Sequence, residues 1–177
     1  MEQWSGQRRN RASGIPTSGI FAPQSRLVEW FKGLQAMTQI NFYNLSQDTE
    51  QMRKLFACRL TEKARSLGHR VCLFAGSETV AREIDALLWS FSSTSFIPHA
   101  IVAADGTCAE NVSIAVNSLP RDANDVVINL SSDALGNVEG IARVNEIIIQ
   151  EPEALEQARE RYRHYQQAGI KPEMIKL

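Results

Sequence analysis

The chain has 177 residues, 44% of them hydrophobic, and a net charge of −1. That length suits one domain with a sizeable core, while the near-zero charge argues against gripping duplex DNA mainly through its phosphates, which takes a basic excess. No unbroken apolar stretch could span a bilayer and the N-terminus lacks the apolar segment of a signal peptide, so the expectation is a cytoplasmic protein that is not membrane-bound.

Residues 1–36 differ in composition from the rest of the chain. Arg8, Arg9 and Arg11 lie among Gly, Ser, Pro and Gln, apolar side chains are scattered, and Leu27, Val28, Trp30 and Phe31 are their densest group. Such a segment cannot bury enough area to offset the entropy of ordering, so it reads as a disordered leader with at most one short helix over 25–34. From residue 37 onward, short apolar runs alternate with amphipathic stretches, the pattern of repeated βα units. The prediction for 37–177 is therefore a single α/β domain, with a mostly parallel sheet and helices on both faces.

In chain order, residues 40–43 form the first strand. A helix over 48–67 carries Met52, Leu55, Phe56, Leu60, Ala64 and Leu67 on one face, and Gly68 stops it. The continuous apolar run 71–75 suits a strand covered on both faces. Gly76 and Ser77 then turn and cap a helix whose buried stripe is Val80, Ile84, Leu87 and Leu88. Further strands are predicted at 100–103, 112–116, 126–130 and 146–149. A last helix over 152–168 has Pro152 at its start and Gly169 at its end.

Cys58, Cys72 and Cys108 are odd in number and widely spaced, so they read as reduced thiols and not as a disulfide framework. His69, His99 and His164 show no metal-ligand spacing and read as surface or capping residues. The turn at Gly76 follows a strand and opens a helix, where a doubly wound sheet offers amides to a phosphate. It has one glycine and neither a G-x-G-x-x-G nor a P-loop, so no bound cofactor is expected. Ser131, at the end of the strand over 126–130, lacks the G-x-S-x-G elbow and is more simply a turn residue. Gly76 and Ser131 are nonetheless where an alternative function, a small-molecule or nucleotide-using α/β enzyme, would place its site.

Two segments invite binding. In 89–99, large apolar side chains alternate with small polar ones, and Trp89 falls about 100° round its helix from Leu88, beside the buried stripe. The segment either packs over the sheet edge or anchors a protein partner. On the last helix, Leu155, Ala158, Tyr162 and Tyr165 mark the inward side. Arg159, Tyr162, Arg163 and Gln166 recur at i, i+3, i+4, i+7 and make a second, basic face. Acid-first, base-last patterning complements the helix dipole, with Glu160 free to pair with Arg163. Equally, arginine forks flanking a tyrosine can receive a carboxylate beside an apolar group. Spacing alone does not choose between them.

The stretches Asn41-Phe42-Tyr43, Ile84-Asp85-Ala86-Leu87-Leu88-Trp89, Ser95-Phe96-Ile97-Pro98-His99 and Ala158-Arg159-Glu160-Arg161-Tyr162-Arg163-His164-Tyr165 stand in an order and spacing that are specific together. Through them, 37–177 resembles the chi subunit family of bacterial DNA polymerase III, part of the clamp-loader assembly. The resemblance implies a Rossmann-like fold without nucleotide chemistry and a non-catalytic role in DNA replication. It implies a surface for the psi subunit at Trp89, Phe96, Ile97 and Pro98. It also implies a receptor for the acidic C-terminal tail of single-stranded-DNA-binding protein at Arg159, Tyr162 and Arg163, with Ile148 as an apolar wall. DNA is then contacted only indirectly. A helicase competing with psi for the aromatic surface is a further reading. The leader is no feature of the family.

Overall fold

The computed structural model describes residues 38–92, 96–122 and 125–177, so the predicted leader lies outside the described residues. Seven strands, β1 (Gln39–Asn44), β2 (Val71–Phe74), β3 (Ala100–Ile101), β4 (Val112–Ala115), β5 (Val126–Asn129), β6 (Arg143–Ile148) and β7 (Glu173–Lys176), form one sheet in the order β3-β4-β2-β5-β6-β1-β7. Every pairing among them is parallel. Three helices are described, α1 (Glu50–Ser66), α2 (Glu78–Ser90) and α3 (Pro152–Gln167). The fold is thus a Rossmann-like α/β domain, with a more uniformly parallel sheet than the sequence required.

Each helix begins where a side chain can accept from an otherwise unpaired amide. Thr49 Oγ1 accepts from Met52 N at 3.4 Å, Ser77 Oγ from Val80 N at 3.3 Å, and the Glu151 carboxylate from Ala154 N at 2.7 Å. Because side chains alternate along a strand, each of the five inner strands, β1, β2, β4, β5 and β6, feeds two cores. On the first face, Tyr43, Leu73, Ile114, Ile128 and Ile147 meet Phe56 and Leu60 of α1 and Ile84 and Leu88 of α2. On the second, Phe42, Val127, Val144 and Ile148 meet Ala158 and Tyr165 of α3. The connection from β5 to β6 has no helix; it crosses the second face as a loop and buries Leu135 and Ile141 there.

That second face is organised around a buried carboxylate. Glu146, fully buried on β6, accepts from Arg161 Nε (2.8 Å) and Tyr165 Oη (2.8 Å) on α3 and from Asn129 Nδ2 (2.9 Å) on β5. Arg161 also donates to the Ser132 carbonyl (3.0 Å), and Tyr165 Oη accepts from Leu135 N (3.1 Å), so the crossing loop is tied to the same group. Burial, and then the neighbouring Glu146 charge, push Tyr165 well above the ordinary phenol range, which keeps it a neutral donor. Cys58 and Cys72 are both buried, and burial pushes their thiols up to about 12.

The structure departs from the sequence expectations at several points. β6 begins at Arg143, ahead of the predicted 146, because Arg143 and Asn145 are buried polar residues within the strand. β3 is two residues long against a predicted four. β7 was not predicted: only Ile175 of its four side chains is buried, leaving almost no apolar signal. The His99 side chain, expected at the surface or as a cap, is fully buried.

Gly76 explains its own turn. Its φ is +71°, and a Cβ there would lie 2.5 Å from Cβ of Ser131. The glycine is required by this close approach of two loops, with no need for a phosphate.

Gly76→Ala should therefore cost about 1–3 kcal/mol through overpacking and left-handed strain, read as a lower urea midpoint with an unchanged slope. Arg161→Met should cost about 3–5 kcal/mol, the usual penalty for stranding a buried charge. The double variant Glu146→Leu, Arg161→Leu should lose less than Arg161→Met alone, since no ion is left unpaired.

Candidate functional site

With Ala158, Arg161 and Tyr165 turned into the sheet, α3 presents Leu155, Arg159, Tyr162 and Arg163 along its next flank. Between this flank and the carboxyl ends of β6, β1 and β7 lies a groove of about 360 Å³, lined by Asn44, Ile148, Leu155, Ala158, Arg159, Tyr162, Arg163 and Met174. Its floor is apolar. Ile148 is nearly buried, and the half-buried Tyr162 ring stands edge-on to Phe42 with centroids 5.3 Å apart. Arg159 and Arg163 are exposed at its rim. Among the described residues neither has an ion-pair partner, and the pair between Glu160 and Arg163 that the sequence allowed is not formed.

The four residues singled out for this site, Ile148, Arg159, Tyr162 and Arg163, are thus brought together. Asn44, Leu155, Ala158 and Met174 complete the groove. Leu155 and Ala158 carried a usable signal, helical spacing on the inward side. Asn44 and Met174 join only through strand register, which the sequence does not display. Two unpaired guanidinium forks over an apolar floor suit a ligand that joins a carboxylate to a bulky apolar group, as the last residue of a polypeptide does.

A second feature lies at the C-terminal end of α2. Trp89 and Phe96 are 56% and 62% exposed, with ring centroids 5.2 Å apart. Beneath them His99, 5.2 Å from Trp89, faces the Ile97 carbonyl through Nδ1 (2.7 Å) and Asp85 Oδ1 through Nε2 (3.1 Å). His99 therefore bridges helix and loop and props the indole. Ile97, expected as a contact residue, is 1% exposed; its side chain is part of the core under α2 and pins the loop. Pro98 is half-buried beside it, and residues 93–95 lie outside the described residues. Since α2 packs near β4 and α3 near β6, the aromatic pair and the groove belong to opposite faces of the sheet.

A cleft of about 810 Å³ opens at the carboxyl ends of β2, β4 and β5 and contains Gly76 and Ser131, the place named for an enzyme site. Ser131 is 8% exposed, and its hydroxyl faces Asn129 Oδ1 (2.7 Å) and the Asp133 carbonyl (2.9 Å), both acceptors. Neither can take its proton as a general base. Among the described residues the lining includes no histidine, cysteine or lysine. Ser131 closes an Asx-type turn, with its amide also donating to Asn129 Oδ1 (3.0 Å).

Comparison with known proteins bears on the same residues. Residues 37–173 match the family model described as DNA polymerase III chi subunit, HolC. The chain is similar to DNA polymerase III subunit chi of Pseudomonas aeruginosa, with 35% identity over 133 residues, 75% of this chain and 92% of that protein. It is also similar to the subunit chi of Escherichia coli, 25% identical over 139 residues (76% and 95% of the two chains), and to that of Haemophilus influenzae, 24% over 129 residues (72% and 90%). No described helix is long and apolar enough to cross a membrane.

Proposed function

The chain belongs to the DNA polymerase III chi subunit family, and from that premise we propose that it is a non-catalytic adaptor in DNA replication. In this reading one surface binds the psi subunit and so joins the clamp loader, while the other captures the acidic C-terminal tail of single-stranded-DNA-binding protein. Contact with DNA is then indirect, and the protein works in the cytoplasm, where the chromosome is copied.

The observation that carries the proposal is the pair of unpartnered arginines, Arg159 and Arg163, over the apolar floor of Ile148, Leu155 and Tyr162. Like charges four residues apart on a helix cost a few tenths of a kcal/mol, about 0.2–0.5, unless an anion offsets them. No described carboxylate does so here, and a tail carboxylate would. The terminal side chain would fill the apolar floor, adding affinity that salt does not screen. For psi, the supporting observation is the exposed Trp89–Phe96 pair, propped by His99: large aromatic side chains held rigid at the surface are typical anchors of protein interfaces.

Arg159→Ala or Arg163→Ala should each weaken binding of a tail peptide by about 1.5–3 kcal/mol, the worth of a hydrogen bond to a charged group. Fluorescence polarisation at low salt is the measurement, and unchanged affinity in a folded variant would sink the assignment. Trp89→Ala or Phe96→Ala should instead reduce co-purification with psi and leave peptide affinity as it was. If either substitution lowers both activities in a folded protein, the two surfaces are not independent.

A further inference from the structure

The groove continues past the residues that line it, along a row set by strand register. Ile148 on β6 pairs with Asn44 on β1, and Asn44 pairs with Lys176 on β7. Residues paired in this way share a face of the sheet. Ile148 and Asn44 both line the groove, so Lys176 is the next position of the same row, on the α3 side at the sheet's outer edge. Its place is set by the ladder through to its end, where Leu177 N donates to the Asn44 carbonyl at 3.2 Å.

The charges along the row have one sign. Lys176 is exposed and, among the described residues, has no carboxylate within ion-pair distance. Asn44 Oδ1 is already used, accepting from Gln150 Nε2 at 2.6 Å, which leaves the Asn44 amide hydrogens as the part of that side chain still to be partnered. From Arg159 and Arg163 across Asn44 to Lys176, the groove therefore offers donors. A peptide that carried only a terminal carboxylate would leave its outer end unused.

Resting on the tail-binding reading above, we infer that Lys176 is a further specificity residue, which recognises an acidic side chain upstream of the ligand's terminal carboxylate. Register also gives the spacing. Two strand separations of about 4.8 Å carry the row from Ile148 to Lys176, and an extended peptide rises about 3.3 Å per residue. With the terminal side chain over Ile148, the residue reaching Lys176 is the third or fourth from the ligand's end. Acidic residues farther upstream lie beyond the row.

The test uses the full chain and two synthetic peptides, each ending in phenylalanine with a free carboxylate. One carries aspartate at the third and fourth positions from the end, the other asparagine. In fluorescence polarisation at low salt the aspartate peptide should bind the unmodified protein about two- to fivefold more tightly, the range of a single exposed ion pair. Lys176→Ala should erase that preference without changing affinity for the asparagine peptide, and Lys176→Arg should keep it. Because Lys176 is an exposed edge residue, circular dichroism should show both variants folded. A preference that survives in Lys176→Ala overturns the inference while leaving the groove reading intact, provided Arg159→Ala still loses both peptides. If the unmodified protein binds neither peptide, the groove reading falls and Lys176 with it. Saturable binding of a single-stranded oligonucleotide that Lys176→Ala abolishes, with peptide binding untouched, would assign the row to phosphates and overturn the inference as well.

Discussion

One buried carboxylate holds the second face of this sheet together. Glu146 carries a negative charge into a region otherwise filled by Phe42, Val127, Val144 and Ile148, a placement tolerable only because Arg161, Tyr165 and Asn129 surround it with donors. Those donors come from α3 and β5, and all three reach on to the crossing loop, at Ser132, Leu135 and Asp133. An apolar contact would have let α3 slide or rotate on the sheet at little cost. A network with fixed acceptor positions does not, and it sets which flank of the helix meets solvent. Arg159, Tyr162 and Arg163 stand at a groove because Arg161 and Tyr165 do not.

The arginines of α3 show why local sequence leaves such a site half-read. Arg159, Arg161 and Arg163 are chemically equivalent in the sequence, and helical periodicity separates them only into approximate sides. Periodicity did place Ala158 and Tyr165 inward, and it grouped Arg159 with Tyr162 and Arg163. It could not show that Arg161 would be buried, because the reason lies 15 residues away in Glu146. Polar residues set among apolar ones in two strands, Asn129 on β5 and Glu146 on β6, were the available signal of a buried polar centre. The α/β architecture was far more legible, since strands covered on both faces read as apolar runs such as Val71-Cys72-Leu73. β7 was illegible for the opposite reason: an edge strand with one buried side chain looks like a tail. The buried Ile97 and His99 were likewise hidden, because a loop that turns side chains into the core has no period to betray it.

The adaptor role proposed above would give the two exposed features a common logic. A linker between two assemblies gains from surfaces that neither overlap nor share a support. Here the aromatic pair rests on α2 and His99 over the first core, and the groove rests on α3 over the second. The sheet between them is a seven-stranded partition. The cleft in the position a nucleotide would take is meanwhile constrained by the contact of Gly76 with Ser131.

The strand order carries a consequence for how the chain reaches this state. β1 pairs only with β6 and β7, so Asn41 waits for Asn145 and Glu173, partners more than a hundred residues later in the chain. During synthesis β2, β4 and β5 can assemble with α1 and α2 as they emerge, while the first strand has no edge to join. β1 can enter the sheet only once β6 has left the ribosome, and closing so long a loop adds an entropic cost to that step. The groove and the completed sheet are in this sense a single event: a chain able to display Arg159 and Arg163 correctly is one whose first strand has already found its place.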